Sequence, residues 1–102
     1  MIELVKQHLQ ALEALCRKHS VARFELFGSA AAGRFDPESS DLDFLVEFLP
    51  LEQGRYADAY FGLLFDLEDL LGRPVDLVMP EAIRNPYFLK AVNRHREVLY
   101  AA

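Results

Sequence analysis

A chain of 102 residues, 52% of them hydrophobic, can bury a real core and is expected to form one domain spanning residues 1–102. Its 16 acidic residues outweigh 11 basic ones, giving a net charge of −5. Lys and Arg are spread without a cluster, so polyanion binding is not its main task and no nucleic-acid partner is expected. The single cysteine, Cys16, excludes an internal disulfide. No apolar run reaches bilayer length and no signal peptide opens the sequence, so the default is a cytoplasmic protein without a membrane partner.

Residues Ile2 to about His19 carry apolar side chains at helical spacing: Ile2, Val5, Leu9, Leu12 and Cys16, widened by Leu4 and Leu15. The spacing predicts a first helix. Val21 to Phe27 alternates as a strand. Ser29 then stands where a helix N-cap belongs, and a short helix through Ala30, Ala31 and Ala32 would end at Gly33. Residues 34–40 form a polar loop with Asp36 and Pro37 as turn residues. A second strand is predicted from about Asp41 to Phe48. A long helix follows, roughly Gly54 to Leu71, stopped by Gly72 and Pro74. Its apolar stripe is Tyr56, Tyr60, Leu63, Leu64, Leu67, Leu70 and Leu71, with Phe61 and Phe65 on a flank beyond it. A third strand near Val75–Met79, a turn after Pro80, a last helix about Pro86–His95 and an edge strand from Glu97 to Tyr100 complete the chain. The order predicts an α/β (α+β) fold, a mixed β-sheet with helices mainly on one face.

The second strand carries the chemistry. Alternate residues of a strand share a face, so Leu42, Phe44, Val46 and Phe48 would pack under helices while Asp41, Asp43, Leu45 and Glu47 share the other side. Asp is a poor strand former and neighbouring carboxylates repel. A fold tolerates such a pair most easily with a divalent cation between them. The third strand repeats the parity: Val75, Leu77 and Met79 on one face, Asp76 and Val78 on the other. If the two strands are neighbours, Asp76 faces the Asp41–Asp43 pair. The Gly28 to Gly33 turn is not a P-loop, because no Lys-Ser or Lys-Thr follows the second glycine. Taken alone, it is more often a capped turn than a ligand site.

Gly28-Ser29, a short turn closed by Gly33, Asp41-Leu-Asp43 on the next strand and Asp76 on a later one together resemble the signature of nucleotidyltransferases built around a DNA polymerase β-like core. The resemblance runs from about Val21 to Tyr100 and is nearest to the minimal nucleotidyltransferases, the MNT proteins often paired with a HEPN toxin. It implies ATP as substrate, two Mg²⁺ ions held by Asp41, Asp43 and Asp76, and a phosphate cradle of Gly28, Ser29 and Ser40. It further implies catalysis through the three aspartates, with Asp76 as base for an acceptor hydroxyl. One departure stands out: many members carry Arg just before the second Gly, whereas this chain has Ala32 there and Arg34 just after.

The leading expectation from that resemblance is an adenylyltransferase antitoxin that places AMP on a hydroxyl, a tyrosine of a cognate HEPN toxin. Two alternatives stand beside it. One is a non-catalytic nucleotide-binding antitoxin that neutralises its partner by binding alone. The other is a small-molecule nucleotidyltransferase acting as a homodimer. The small size makes help from a partner or from homo-oligomerisation reasonable. His8, His19 and His95 lack metal-ligand spacing and read as solvated or capping residues. The acidic run Asp66, Glu68, Asp69 reads as a wet helix face.

Overall fold

A computed structural model describes residues 1–36, 38 and 41–102. Its strands are β1 (Val21–Phe27), β2 (Leu42–Phe48), β3 (Val75–Val78) and β4 (Arg96–Ala101), and its helices are α1 (Glu3–Gln7), α2 (Leu9–Lys18), α3 (Gly28–Ala31), α4 (Arg55–Leu71) and α5 (Pro86–Arg94). The strands form one sheet in the order β3-β2-β1-β4. β1 pairs antiparallel with both β2 and β4, and β2 pairs parallel with β3. A parallel pair needs a long crossover, and α4 supplies it.

The predicted N-terminal helix is broken at His8, which has φ −108° and ψ 12°. In a continuous helix the His8 amide would donate to the Leu4 carbonyl. Here the His8 ring Nδ1 takes that carbonyl at 2.9 Å, and the amide turns to the Val5 carbonyl at 3.1 Å. The local side-chain bond competes with the helix ladder and interrupts it.

The main core lies on the sheet face covered by α1, α2 and α4. Leu42, Phe44 and Val46 of β2 are fully buried there beside Phe24, Leu26, Leu12, Leu63 and Leu67. Phe24 and Phe44 stack with ring centroids 4.7 Å apart. Burying side chains of this size contributes about 1.5–3 kcal/mol each. A register shift between Val21 and Arg23 puts both Val21 and Phe24 into that core although they are three residues apart in a strand. A smaller cluster of Phe27, Leu45 and Val92 lies on the opposite face, where α5 packs. The helices are therefore mainly, but not wholly, on one side. Asn85 opens α5, its Oδ1 accepting from the Tyr87 and Phe88 amides at 2.9 and 3.4 Å, with Pro86 at the first helical position.

α4 follows its predicted stripe, with Leu63, Leu67 and Leu71 buried, although Tyr56 is exposed at its start. The acidic run on this helix is more engaged than a wet face. Asp66 pairs with Lys18 at 2.9 Å and His19 at 2.6 Å, tying α4 to the end of α2. Glu68 accepts from the Val75 amide at 3.1 Å and so holds the start of β3. The charge run looks uniform in sequence because its partners come from distant segments.

Phe61 and Phe65 are 51% and 64% exposed and stack on each other with centroids 6.2 Å apart. They lie outside the core, so Phe61→Ser combined with Phe65→Ser is expected to leave the fold intact. Exposed aromatic patches often serve as interfaces, so the same double variant is expected to weaken self-association or partner binding. Circular dichroism and sedimentation read the two effects separately. Collapse of the fold would return both rings to the core, and unchanged assembly would move the interface elsewhere.

Candidate active site

The parallel register of β2 and β3 brings together what the sequence separates by more than thirty residues: Asp43 stands directly opposite Asp76. Asp76 is exposed and Asp43 is half-buried. Both line one cleft of about 430 Å³, bordered by Phe27, Val78, Tyr60 and Phe88. Tyr60 of α4 donates its hydroxyl to the Leu77 carbonyl at 2.6 Å and fixes the outer edge of β3. Asp41 lies one residue ahead of β2 and is exposed. Among the described residues, no three His, Cys, Asp or Glu side chains converge closely enough to hold a metal. Asp43 and Asp76 are thus brought together, while Asp41, exposed ahead of β2, is not among the residues lining the cleft.

Burial, then hydrogen bonding and charge from Asp76, then the charge of Asp41 push the Asp43 carboxyl up to about 7. A cation bound beside the pair would relieve the same repulsion. The donors are hard carboxylate oxygens with an open side toward the cleft, a set that suits Mg²⁺.

The turn after β1 is shaped around Asp43. Gly28 has φ +73°, and a Cβ at that position would lie 2.4 Å from Asp43 Oδ2. Glycine is required twice over, for the left-handed backbone and for the approach of the carboxylate. α3 is a single helical turn that begins at Gly28 itself, two residues earlier than expected, and no side-chain cap bond forms at its start. Ser29 therefore does not cap the helix; its carbonyl accepts from the Arg34 amide at 2.8 Å. Gly33, at φ +75°, ends the turn as expected. Ser40 lies outside the described residues. Two neighbours of the site were missed in the sequence reading. Phe88 borders the carboxylate cleft, and His95, read above as solvated or capping, lines a second cleft with Gly28 and Ser29. Phe88 lies in α5 and His95 directly follows it, and the docking of this helix across the face is a tertiary event with no local signature.

The Asp43 shift carries a pH signature. The folded-state value is raised above the ordinary 3.8, so the folded protein holds the proton more tightly than the unfolded chain. The associated stability is fully present below about pH 4 and is lost as pH rises through about 7. Thermal melts in EDTA are expected to fall between pH 5 and pH 8. Solvent screening at a half-buried carboxyl leaves about 1 kcal/mol of this effect, on the order of 5 °C for a domain of this size. Asp43→Asn should flatten the dependence; the same slope in that variant would contradict the assignment.

A glycine turn thus presses against one carboxylate, with a second carboxylate in register on the neighbouring parallel strand. Residues 9–99 match the family model described as "Nucleotidyltransferase domain". The chain belongs to the nucleotidyltransferase domain family. Among curated proteins it is similar to two from Methanocaldococcus jannaschii. It is 36% identical over 90 residues to "Putative protein adenylyltransferase MJ1379" and 39% identical over 90 residues to "Putative protein adenylyltransferase MJ0128". Each alignment covers 88% of this chain and 85% of the relative. Among solved structures it resembles a "putative minimal nucleotidyltransferase" with a TM-score of 0.72 and 35% identity, covering 93% of this chain and 94% of that one. The fold also matches a chain of a toxin–antitoxin complex with AMP-PNP, with a TM-score of 0.68, 22% identity and 92% and 73% coverage. It matches as well a chain of the tri-AMPylated Shewanella oneidensis HEPN toxin in complex with MNT antitoxin, with a TM-score of 0.63, 19% identity and 95% and 72% coverage.

Proposed function

We propose that this chain is a Mg²⁺-dependent adenylyltransferase that moves AMP from ATP to a hydroxyl, a tyrosine of a HEPN-type toxin, and thereby acts as an antitoxin. The observation that carries the reading is the in-register Asp43–Asp76 pair with Gly28 packed against Asp43. The choice of AMP and of a protein acceptor is supported by the names of the Methanocaldococcus relatives. The HEPN partner is supported by the description of the Shewanella complex that shares the fold.

In this reading Asp41, Asp43 and Asp76 would hold the metal. Bound there, Mg²⁺ would offset the negative charge of the triphosphate and of the leaving pyrophosphate. Gly28, Ser29 and Ser40 cradle the phosphates. The acceptor oxygen forms a bond to the α-phosphorus while the bond to the bridging oxygen of the β-phosphate breaks, and pyrophosphate leaves with that electron pair. The acceptor proton passes to Asp76, the more exposed member of the pair. The whole of residues 1–102 serves as the catalytic core, and the partner supplies the acceptor and completes the cleft.

The competing reading is a nucleotide-binding antitoxin without catalysis, with the aspartates kept as a nucleotide or metal site. Calorimetry with ATP, with and without Mg²⁺, tests the shared premise. Tighter ATP binding with Mg²⁺, weakened in the Asp41→Asn and Asp43→Asn double variant, is expected. Equal affinity in wild type and double variant would remove the site assignment.

A further inference from the structure

β3 is an edge strand of four residues, paired on one side with β2. Among the described residues, no strand pairs with its other side. Alternate residues of a strand turn their backbone groups the same way, and on that outer side they would be left open. Two side chains of α4 take them instead. Glu68 Oε2 accepts from the Val75 amide at 3.1 Å, and the Tyr60 hydroxyl donates to the Leu77 carbonyl at 2.6 Å. Val75 and Leu77 are the residues on either side of Asp76.

The geometry of α4 fits this use. Tyr60 and Glu68 stand about two helical turns apart, so they lie on one side of the helix. Gly72 ends α4 in the left-handed conformation, and β3 runs back alongside it. Glu68, near the helix end, meets the start of the strand, and Tyr60, further back, meets its later part. Between them Leu63 and Leu67 are fully buried in the core that Val75 and Leu77 also join.

A strand placed this way needs holding. Like charges directly opposite each other destabilise a sheet, and Asp76 stands opposite Asp43. The two strands do not resist that repulsion equally. β2 is an inner strand, paired with β1 from Asp43 to Phe48 as well as with β3. β3 is short and has β2 alone beside it, so the repulsion acts on the weaker strand. Satisfying buried backbone groups is one use of the Glu68 and Tyr60 bonds. Their placement on both sides of Asp76 gives them a second.

We propose that Tyr60 and Glu68 are positioning residues for nucleotidyl transfer: from α4 they hold the edge strand against β2, so that Asp76 stays level with Asp43. The inference rests on the nucleotidyl-transfer reading above. Tyr60 also borders the carboxylate cleft, whereas Glu68 is not among the residues lining it. Glu68 therefore separates positioning from direct contact with a ligand. Groups that orient a metal ligand typically change metal affinity by about 10–100-fold when removed. Displacement of a reacting group by about 1 Å costs on the order of 10²-fold in rate.

The test uses the full chain as wild type, Tyr60→Phe, Glu68→Leu and Glu68→Gln. Mn²⁺ affinity is read by electron paramagnetic resonance, and AMP transfer to a cognate HEPN-type toxin in a single turnover; circular dichroism checks each fold. Tyr60→Phe keeps the ring and removes the donor. Glu68→Leu removes the acceptor, and Glu68→Gln keeps an acceptor oxygen. The expected result is about tenfold weaker Mn²⁺ binding and about 10²-fold slower transfer in Tyr60→Phe and in Glu68→Leu, with both restored in Glu68→Gln. Wild-type values in Tyr60→Phe and Glu68→Leu overturn the positioning role and leave the transfer reading standing. Loss in Tyr60→Phe alone makes Tyr60 a ligand contact and overturns it too. A loss in Glu68→Gln as deep as in Glu68→Leu assigns the effect to charge and overturns the role of that hydrogen bond. If wild type binds Mn²⁺ but transfers no AMP, and the variants weaken Mn²⁺ binding as expected, the strand clamp stands and the transfer reading falls. Wild type that does neither overturns both. Should Glu68→Leu not fold, Glu68→Ala takes its place, with the same outcomes.

Discussion

Asp76→Asn is expected to lower AMP transfer by about 10²–10⁴-fold, the usual range for removing a general base, while keeping much of the nucleotide affinity. Asn has nearly the same shape, and position 76 is exposed on β3, so the strand and its register should survive. The amide cannot take the proton of the acceptor hydroxyl. Loss of a carboxylate from the metal site would deepen the defect beyond that range. A second readout separates a chemical role from a structural one. Asp76 helps to push the Asp43 carboxyl up, so in the variant Asp43 should titrate lower, toward its ordinary range. Single-turnover transfer with labelled ATP and a carboxyl titration by NMR check both outcomes. Full-rate transfer by Asp76→Asn refutes the role of base.

Gly28→Ala is expected to damage the site more broadly. The residue has φ +73°, and its new Cβ would sit 2.4 Å from Asp43 Oδ2. A non-glycine residue in the left-handed region costs about 1–2 kcal/mol. The clash is relieved only if the carboxylate or the turn moves. Displacement of a reacting group by about 1 Å is enough to cost on the order of 10²-fold in rate. Melting temperature and single-turnover transfer measured together give the test. Gly33→Ala is the matched control: Gly33 also has positive φ, at +75°, but nothing lies within 4 Å of its added Cβ. It should lose stability with a smaller loss of transfer. Equal effects at both glycines would show that the Gly28–Asp43 approach does not matter.

The parity of β2 was readable because its two faces differ so sharply: Leu42, Phe44 and Val46 are fully buried on one, and Asp43 opens to a cleft on the other. The pairing of Asp43 with Asp76 followed once β2 and β3 were taken as neighbours, a step that the parallel crossover through α4 justified. Stop signals placed the end of α4 well, since Gly72 adopts the left-handed conformation there. What local sequence could not reveal came from side chains acting at a distance. The His8 ring breaks the first helix by taking a carbonyl. Arg96 reaches back 71 residues to Glu25. α5 crosses onto the site face through Val92, Phe27 and Leu45, which is why Phe88 and His95 reach the site unannounced. Asp41 shows the opposite limit, since the motif groups it with Asp43 but the backbone leaves it exposed ahead of the strand.

The central claim is that these carboxylates transfer AMP to a partner protein. Incubation of the chain with ATP, Mg²⁺ and a cognate HEPN-type toxin, followed by intact-mass analysis of the toxin, tests it most directly. The account predicts a mass increase of one or more AMP units on the toxin, located on a tyrosine by fragmentation and lost with Asp43→Asn or Asp76→Asn. A toxin that is bound and silenced with its mass unchanged would contradict it, and would make this domain a binding antitoxin instead of an enzyme.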